Sequence, residues 1–91
     1  MADKQKEIEK LFLEMGFAEV TINGTIFYKY GKTYYKISYI EDLNSFVIEY
    51  AETKNEAEKN LLEDGDLYSI TLGEQQLLEQ IKNDLLQFYM K

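Results

Sequence analysis

The chain has 91 residues, 17 Asp and Glu against 10 Lys, a net charge of −7, and no Cys, His, Pro, Trp or Arg. That length suits one domain. The missing residue types exclude a disulfide framework, a thiolate nucleophile, a Cys- or His-ligated metal and a His base, and leave no Arg fork for phosphate or guanine.

Residues 3–15 carry Ile8, Leu11, Phe12 and Met15 at i, i+3, i+4 and i+7, the apolar stripe of an amphipathic helix. Asp3 is placed to cap its start and Gly16 to end it, while Leu13 falls off the stripe. From residue 17 the period changes to two. Asn23-Gly24, between Val20-Thr21-Ile22 and Thr25-Ile26-Phe27, predicts a type I′ hairpin, because both central residues of that turn need positive φ. Gly31-Lys32 suits a type II′ turn, and Glu41-Asp42-Leu43-Asn44 a longer one. The turn at 31–32 pairs Tyr30 with Thr33, Tyr28 with Tyr35 and Ile26 with Ile37. The loop at 41–44 pairs Tyr39 with Phe46, Ile37 with Ile48 and Tyr35 with Tyr50. Both registers put Ile26, Tyr28, Tyr30, Tyr35, Ile37, Tyr39, Phe46, Ile48 and Tyr50 on one face, which a one-residue slip would scatter. On the other face Lys36 falls opposite Glu49.

Thr53-Lys54-Asn55-Glu56 reads as a capping box opening a short helix to about Leu62, with Ala57 and Leu61 on its buried side and closure near Gly65. Residues 66–71 read as a connector. Thr71-Leu72-Gly73-Glu74 repeats the box before a last helix to about Tyr89, striped by Leu77, Leu78, Ile81, Leu85 and Phe88. The expected fold class is α+β: an N-terminal helix, a four-stranded antiparallel meander sheet, and two C-terminal helices packed on one sheet face.

Residues 51–74 hold seven acids and two Lys, so most of the excess negative charge sits there. Glu56, Glu63, Asp64 and Asp66 form the cluster, with Gly65 between the aspartates. A solvated face, an acidic contact surface for a basic protein and a weak cation site are all open readings. Glu-Asp-Gly-Asp-Leu-Tyr lacks the residue order of an EF-hand loop, so no metal site is assigned. Tyr68 beside the acids and Tyr34 on the outer sheet face are the contact candidates among the tyrosines, with structural burial an equal reading for Tyr68. Val20, Phe27, Tyr34 and Val47 share that outer face, which is rather apolar for solvent. Either a helix covers it or it is a second interface, such as a homodimer.

Nothing in the spacing singles out an acid–base pair, and no phosphate-binding glycine loop occurs, so no enzyme and no cofactor are expected. Acidic balance argues against direct nucleic-acid binding. The charged start lacks the apolar stretch of a signal peptide, and no run approaches a membrane span, which makes the cytoplasm the expected compartment.

Val47-Ile48-Glu49-Tyr50-Ala51, a short helix and then Glu63-Asp64-Gly65-Asp66-Leu67-Tyr68 resemble a pattern in small acidic immunity proteins of bacterial toxin–immunity systems, of the Gram-positive type. The likeness covers roughly residues 46–86. It implies an intracellular inhibitor that binds and blocks a cognate toxin, commonly a basic nuclease or another effector, and it transfers no catalytic residue. On that reading Glu56, Glu63, Asp64 and Asp66 supply charge and Tyr68 an anchor. The alternatives are a phage or mobile-element inhibitor that mimics nucleic-acid charge, and an accessory dimer using the outer sheet face.

Overall fold

Two Schellman-type helix ends and three strand-to-strand turns set the frame of the computed structural model, which describes residues 2–90. Helix α1 spans Ala2–Glu14. Ala2 is already helical, so Asp3 lies inside α1 rather than before it, and its side chain lies outside the described residues. The helix stops as its sequence demands. Gly16 takes φ +98°, and the amides of Gly16 and Phe17 turn back to the carbonyls of Leu13 and Phe12 at 3.1 and 3.0 Å. The turn brings Phe17 edge-on to Phe12, with ring centroids 4.9 Å apart.

The sheet is a five-stranded antiparallel meander in the order β1 (Ala18–Ile22), β2 (Thr25–Tyr30), β3 (Thr33–Ile40), β4 (Ser45–Ala51) and β5 (Glu63–Ser69). Asn23 and Gly24 take φ 50° and 80°, Gly31 takes 62°, and Asn44 takes 45° in the loop after β3. The Asn23-Gly24 turn pairs Val20 with Phe27, and the ladders match the expected registers at Tyr28–Tyr35, Tyr35–Tyr50, Lys36–Glu49, Ile37–Ile48 and Tyr39–Phe46. The expected pair Ile26–Ile37 is the exception. The β2–β3 ladder runs over Tyr28–Tyr30, Ile26 pairs only with Thr21 of β1, and Ile26 is 45% exposed.

The fifth strand corrects the expected connector. Residues 63–69 are acidic and contain Gly, a poor strand composition. They pair nonetheless because β4 offers a free edge and Tyr68 can bury its ring opposite Phe46. An aromatic ring of this size contributes roughly 2–3 kcal/mol on burial. With the ladder bonds, that outweighs the propensity.

α1 and α3 (Glu74–Asp84) cover the inner sheet face. Ile8, Phe12, Leu77, Ile81 and Leu85 pack there on Tyr28, Tyr35, Ile37, Phe46, Ile48 and Tyr68. Lys4 Nζ donates to the carbonyls of Ile70 and Leu72 at 2.8 and 3.3 Å, tying α1 to the loop before α3. That loop is not a capping box: Gly73 is the N-cap, and the Thr71 hydroxyl is engaged with Ser69 Oγ at 2.8 Å.

The middle helix, α2 (Lys54–Glu58), lies on the other face, which corrects the expectation that both C-terminal helices share one face. Thr53 caps it, but the Glu56 carboxylate meets the Thr53 hydroxyl rather than its amide, so only the N-cap half of the expected capping box forms. The Glu56 amide donates to Thr53 Oγ1 at 3.2 Å, and Thr53 Oγ1 donates to Glu56 Oε1 at 2.9 Å. The helix ends earlier than expected, because Asn60 adopts φ 56° and the Leu61 amide reaches the Glu56 carbonyl at 2.9 Å. This reversal points Leu61 outward, 59% exposed, and Leu62 takes the packed position. Asn23 Nδ2 donates to the Glu58 carbonyl at 3.0 Å, so the first hairpin turn anchors the end of α2.

The last helix also departs from its stripe. After Asp84 the backbone widens into a π turn over Leu85–Tyr89, closed by the Met90 amide on the Leu85 carbonyl at 2.8 Å. One extra residue in the turn rotates the face. Phe88 swings out, 64% exposed, and Tyr89 packs on the inner core.

Candidate functional site

β5 is the last strand in the sheet order, and it carries three of the four acids of the cluster. Glu63, Asp64 and Asp66 are all exposed. Strand alternation sends them to different faces. Glu63 pairs with Tyr50 at the end of the inner face, and Asp64 pairs with Glu49 on the outer face. Between Asp64 and Leu67 the ladder slips. Three steps on β5 match two on β4, from Val47 to Glu49, so Gly65-Asp66 forms a β-bulge.

Tyr89 fills that bulge. The Asp66 amide donates to Tyr89 Oη at 3.1 Å, and the hydroxyl donates to Asp66 Oδ2 at 3.0 Å. Gly65 is required beneath it, since a Cβ there would stand 2.5 Å from Tyr89 Oη and 3.0 Å from the Ile48 carbonyl oxygen. Asp66 therefore has a structural task as well as an exposed charge. Glu56 lies on α2, its carboxylate held by Thr53, and does not join the β5 acids through any shared hydrogen bond among the described residues. Among those residues no three carboxylates converge to hold a metal ion.

Across the outer face Lys36, Glu49 and Asp64 form one row over β3, β4 and β5. Ser38 Oγ donates to Glu49 Oε1 at 2.6 Å, so that carboxylate is already engaged. Asp64 then sets a second negative charge directly opposite it, and like charges in that position cost stability. Leu67, next along the outer side of β5, is 54% exposed.

Tyr68 is not the expected surface anchor. It is 1% exposed, and its hydroxyl donates to Asp84 Oδ2 at 2.7 Å. Burial, and then its role as donor to the Asp84 carboxylate, push its ionisation far above the ordinary range. Alternation beside Leu67 placed Tyr68 inward once β5 became a strand. The second-interface residues are likewise accounted for within the fold. Phe27 and Tyr34 are buried with Ala51 and Ala57 under α2, Val20 packs against that cluster, and Val47 is buried at mid-sheet between Ser38 and Leu67. The α2 cover removes the apolar surface that suggested a homodimer face.

Sequence reasoning missed a cleft of about 430 Å³ at the end of the inner face. Tyr35 and Tyr50 from β3 and β4 and Tyr89 from the π turn line it, with Glu52 after β4 and Phe88 at its side. Lys32 of the β2–β3 turn and Thr33, the first residue of β3, complete the wall. The three tyrosine rings stand 5.7–6.5 Å apart, with planes turned 42–85° from one another. Tyr35 Oη donates to the Tyr89 carbonyl at 3.2 Å. Loss of solvent, and then the neighbouring Glu63 carboxylate, raise the Tyr50 ionisation. Burial likewise lifts Tyr89 to about 12. Tyr35 and Tyr50 were readable as inner-face residues, but the π turn that delivers Tyr89 has no signature in the apolar period.

No protein-family model, no curated protein and no solved structure matches the chain. Among the described residues no helix is long and apolar enough to cross a membrane.

Proposed function

We propose that this chain is a non-enzymatic, protein-binding inhibitor, an immunity protein that neutralises a cognate toxin inside the cell by occluding a basic surface with its acidic edge strand. The carrying observation is Asp64 opposite Glu49 at the exposed edge, with Glu63 and Asp66 beside it on β5. A fold gains nothing from opposed carboxylates there, whereas a basic partner would relieve the repulsion and gain from it. Exposed Leu61 and Leu67 supply apolar contacts near the same edge. The bulge and the acids also stop a second copy from extending the sheet, so the edge is available to a partner of opposite charge rather than to itself.

The test is affinity capture at low and high salt, followed by binding of the captured protein to a Glu63→Lys, Asp64→Lys variant. Asp66 is left intact because its carboxylate holds Tyr89. A basic, salt-sensitive partner that binds the variant at least about tenfold more weakly, with a flatter salt dependence, is expected, since close interfacial charge pairs couple by ~1.5–7 kcal/mol. Unchanged affinity and salt slope would reject the edge as the contact.

A further inference from the structure

We propose that the tyrosine cleft is a socket for one cationic side chain, a lysine or arginine of the basic protein partner. The inference rests on the reading of the acidic edge as a partner surface and adds an anchor to it. Tyr35, Tyr50 and Tyr89 pack on one another at wide angles rather than in a stack, and together they form an aromatic side of a cleft of about 430 Å³. That volume lies within the ~300–1,000 Å³ of ligand sites and has room for one long side chain. Phe88 stands at this cleft 64% exposed, a large ring with no core to pack.

The electrostatics select the sign of the guest. Aromatic faces are the negative side of the ring quadrupole and attract ammonium or guanidinium groups. Glu52 lines the cleft, and Glu63 lies beside Tyr50. An anion would face both carboxylates and the ring faces together. A neutral apolar guest would gain nothing from either carboxylate. Lys32 is the one cation in the wall, so it competes with the guest without reversing the balance of charge. Glu63 also links the cleft to the β5 edge, so a partner lying along that edge reaches the socket without a detour.

The experiment uses the full chain with ¹³C-labelled tyrosine and phenylalanine rings, titrated with Nα-acetyl-lysine amide and Nα-acetyl-arginine amide. The control is the neutral Nε-acetylated lysine analogue. The expected result is movement of the Tyr50, Phe88 and Tyr89 ring signals with the cations and not with the control. Phe88→Ala or Glu52→Gln should weaken binding about 5-fold, the scale of one partly exposed cation–π or charge contact, and Lys32→Met should strengthen it. No ring movement, equal movement with the neutral analogue, or indifference to all three substitutions would overturn the socket. Asp64→Lys, on the opposite sheet face, should leave this titration unchanged. Failure of the socket is thereby separated from failure of the acidic edge, which is read only with the captured partner. Phe88 is exposed, so its loss should leave the fold intact, and the unfolding midpoint of Phe88→Ala checks that directly.

Discussion

Tyr89 and Asp66 lie 23 residues apart and exchange two hydrogen bonds, amide to hydroxyl at 3.1 Å and hydroxyl to carboxylate at 3.0 Å. The edge strand and the π turn are thus one unit, and the close approach is possible only over Gly65. Gly65→Ala is expected to cost about 1–3 kcal/mol, as forced overpacking does. Tyr89→Phe should cost about 0.5–1.5 kcal/mol, because water can replace bonds at an exposed site. In the double variant the tighter clash, with the hydroxyl, is gone and only the Ile48 carbonyl remains in the way. Urea unfolding of all four proteins should therefore show a combined cost smaller than the sum. Simple additivity would mean that Gly65 and Tyr89 act independently.

Tyr68 and Asp84 join β5 to α3 from beneath, through a 2.7 Å bond in a buried setting. Tyr68→Phe keeps the ring packing and removes the donor to a carboxylate, a loss of about 1.5–3 kcal/mol. Affinity of the folded variant for a captured partner should not change, because the side chain does not reach the surface. A lowered unfolding midpoint with undiminished binding is the expected pair of results. Weaker binding at unchanged stability would return Tyr68 to the contact surface.

α2 is short, and its hold on Phe27 and Tyr34 depends on a properly started helix. Thr53→Ala removes the cap and should cost about 0.5–2 kcal/mol. In a domain of this size that is a fall in Tm of several degrees, at about 4–8 °C per kcal/mol. The released outer face should then bind a hydrophobic dye and favour self-association, both measurable below the Tm. A capless protein with an unchanged Tm would show that Asn23 and the apolar contacts alone hold α2.

The strands from Ala18 to Ala51 were legible because two independent turns demanded one common face, and the ladders at Tyr28–Tyr35 and Ile37–Ile48 agree with it. What was not legible depended on partners distant in sequence. β5 has the composition of a loop and becomes a strand only against the β4 edge. Leu61 sat on the expected stripe of α2, but Asn60 entered the left-handed region and reversed the chain beneath it. Phe88 and Tyr89 exchanged roles through one additional residue in a turn. The acidic cluster was visible as composition, yet its division between two sheet faces follows from the strand that composition had concealed.

The buried tyrosines make a last prediction, in alkali. Burial, with nearby carboxylates adding to it, pushes Tyr28 and Tyr89 up to about 12, and Tyr35, Tyr50 and Tyr68 are raised as well. In the unfolded chain a tyrosine loses its proton near pH ~10. Above that pH the native state holds more protons than the unfolded state, so stability falls as pH rises. The tyrosine contribution should be complete below about pH 10 and disappear progressively toward pH 12 as the native hydroxyls give way. Tyrosinate absorbance and far-UV circular dichroism, followed together against pH, should show a late ionisation phase coincident with loss of structure. Tyr68→Phe should reduce the amplitude of that phase. If every tyrosine ionised near pH ~10 while the fold persisted, the rings would have to be far better solvated than the packing of Tyr28, Tyr35 and Tyr68 allows.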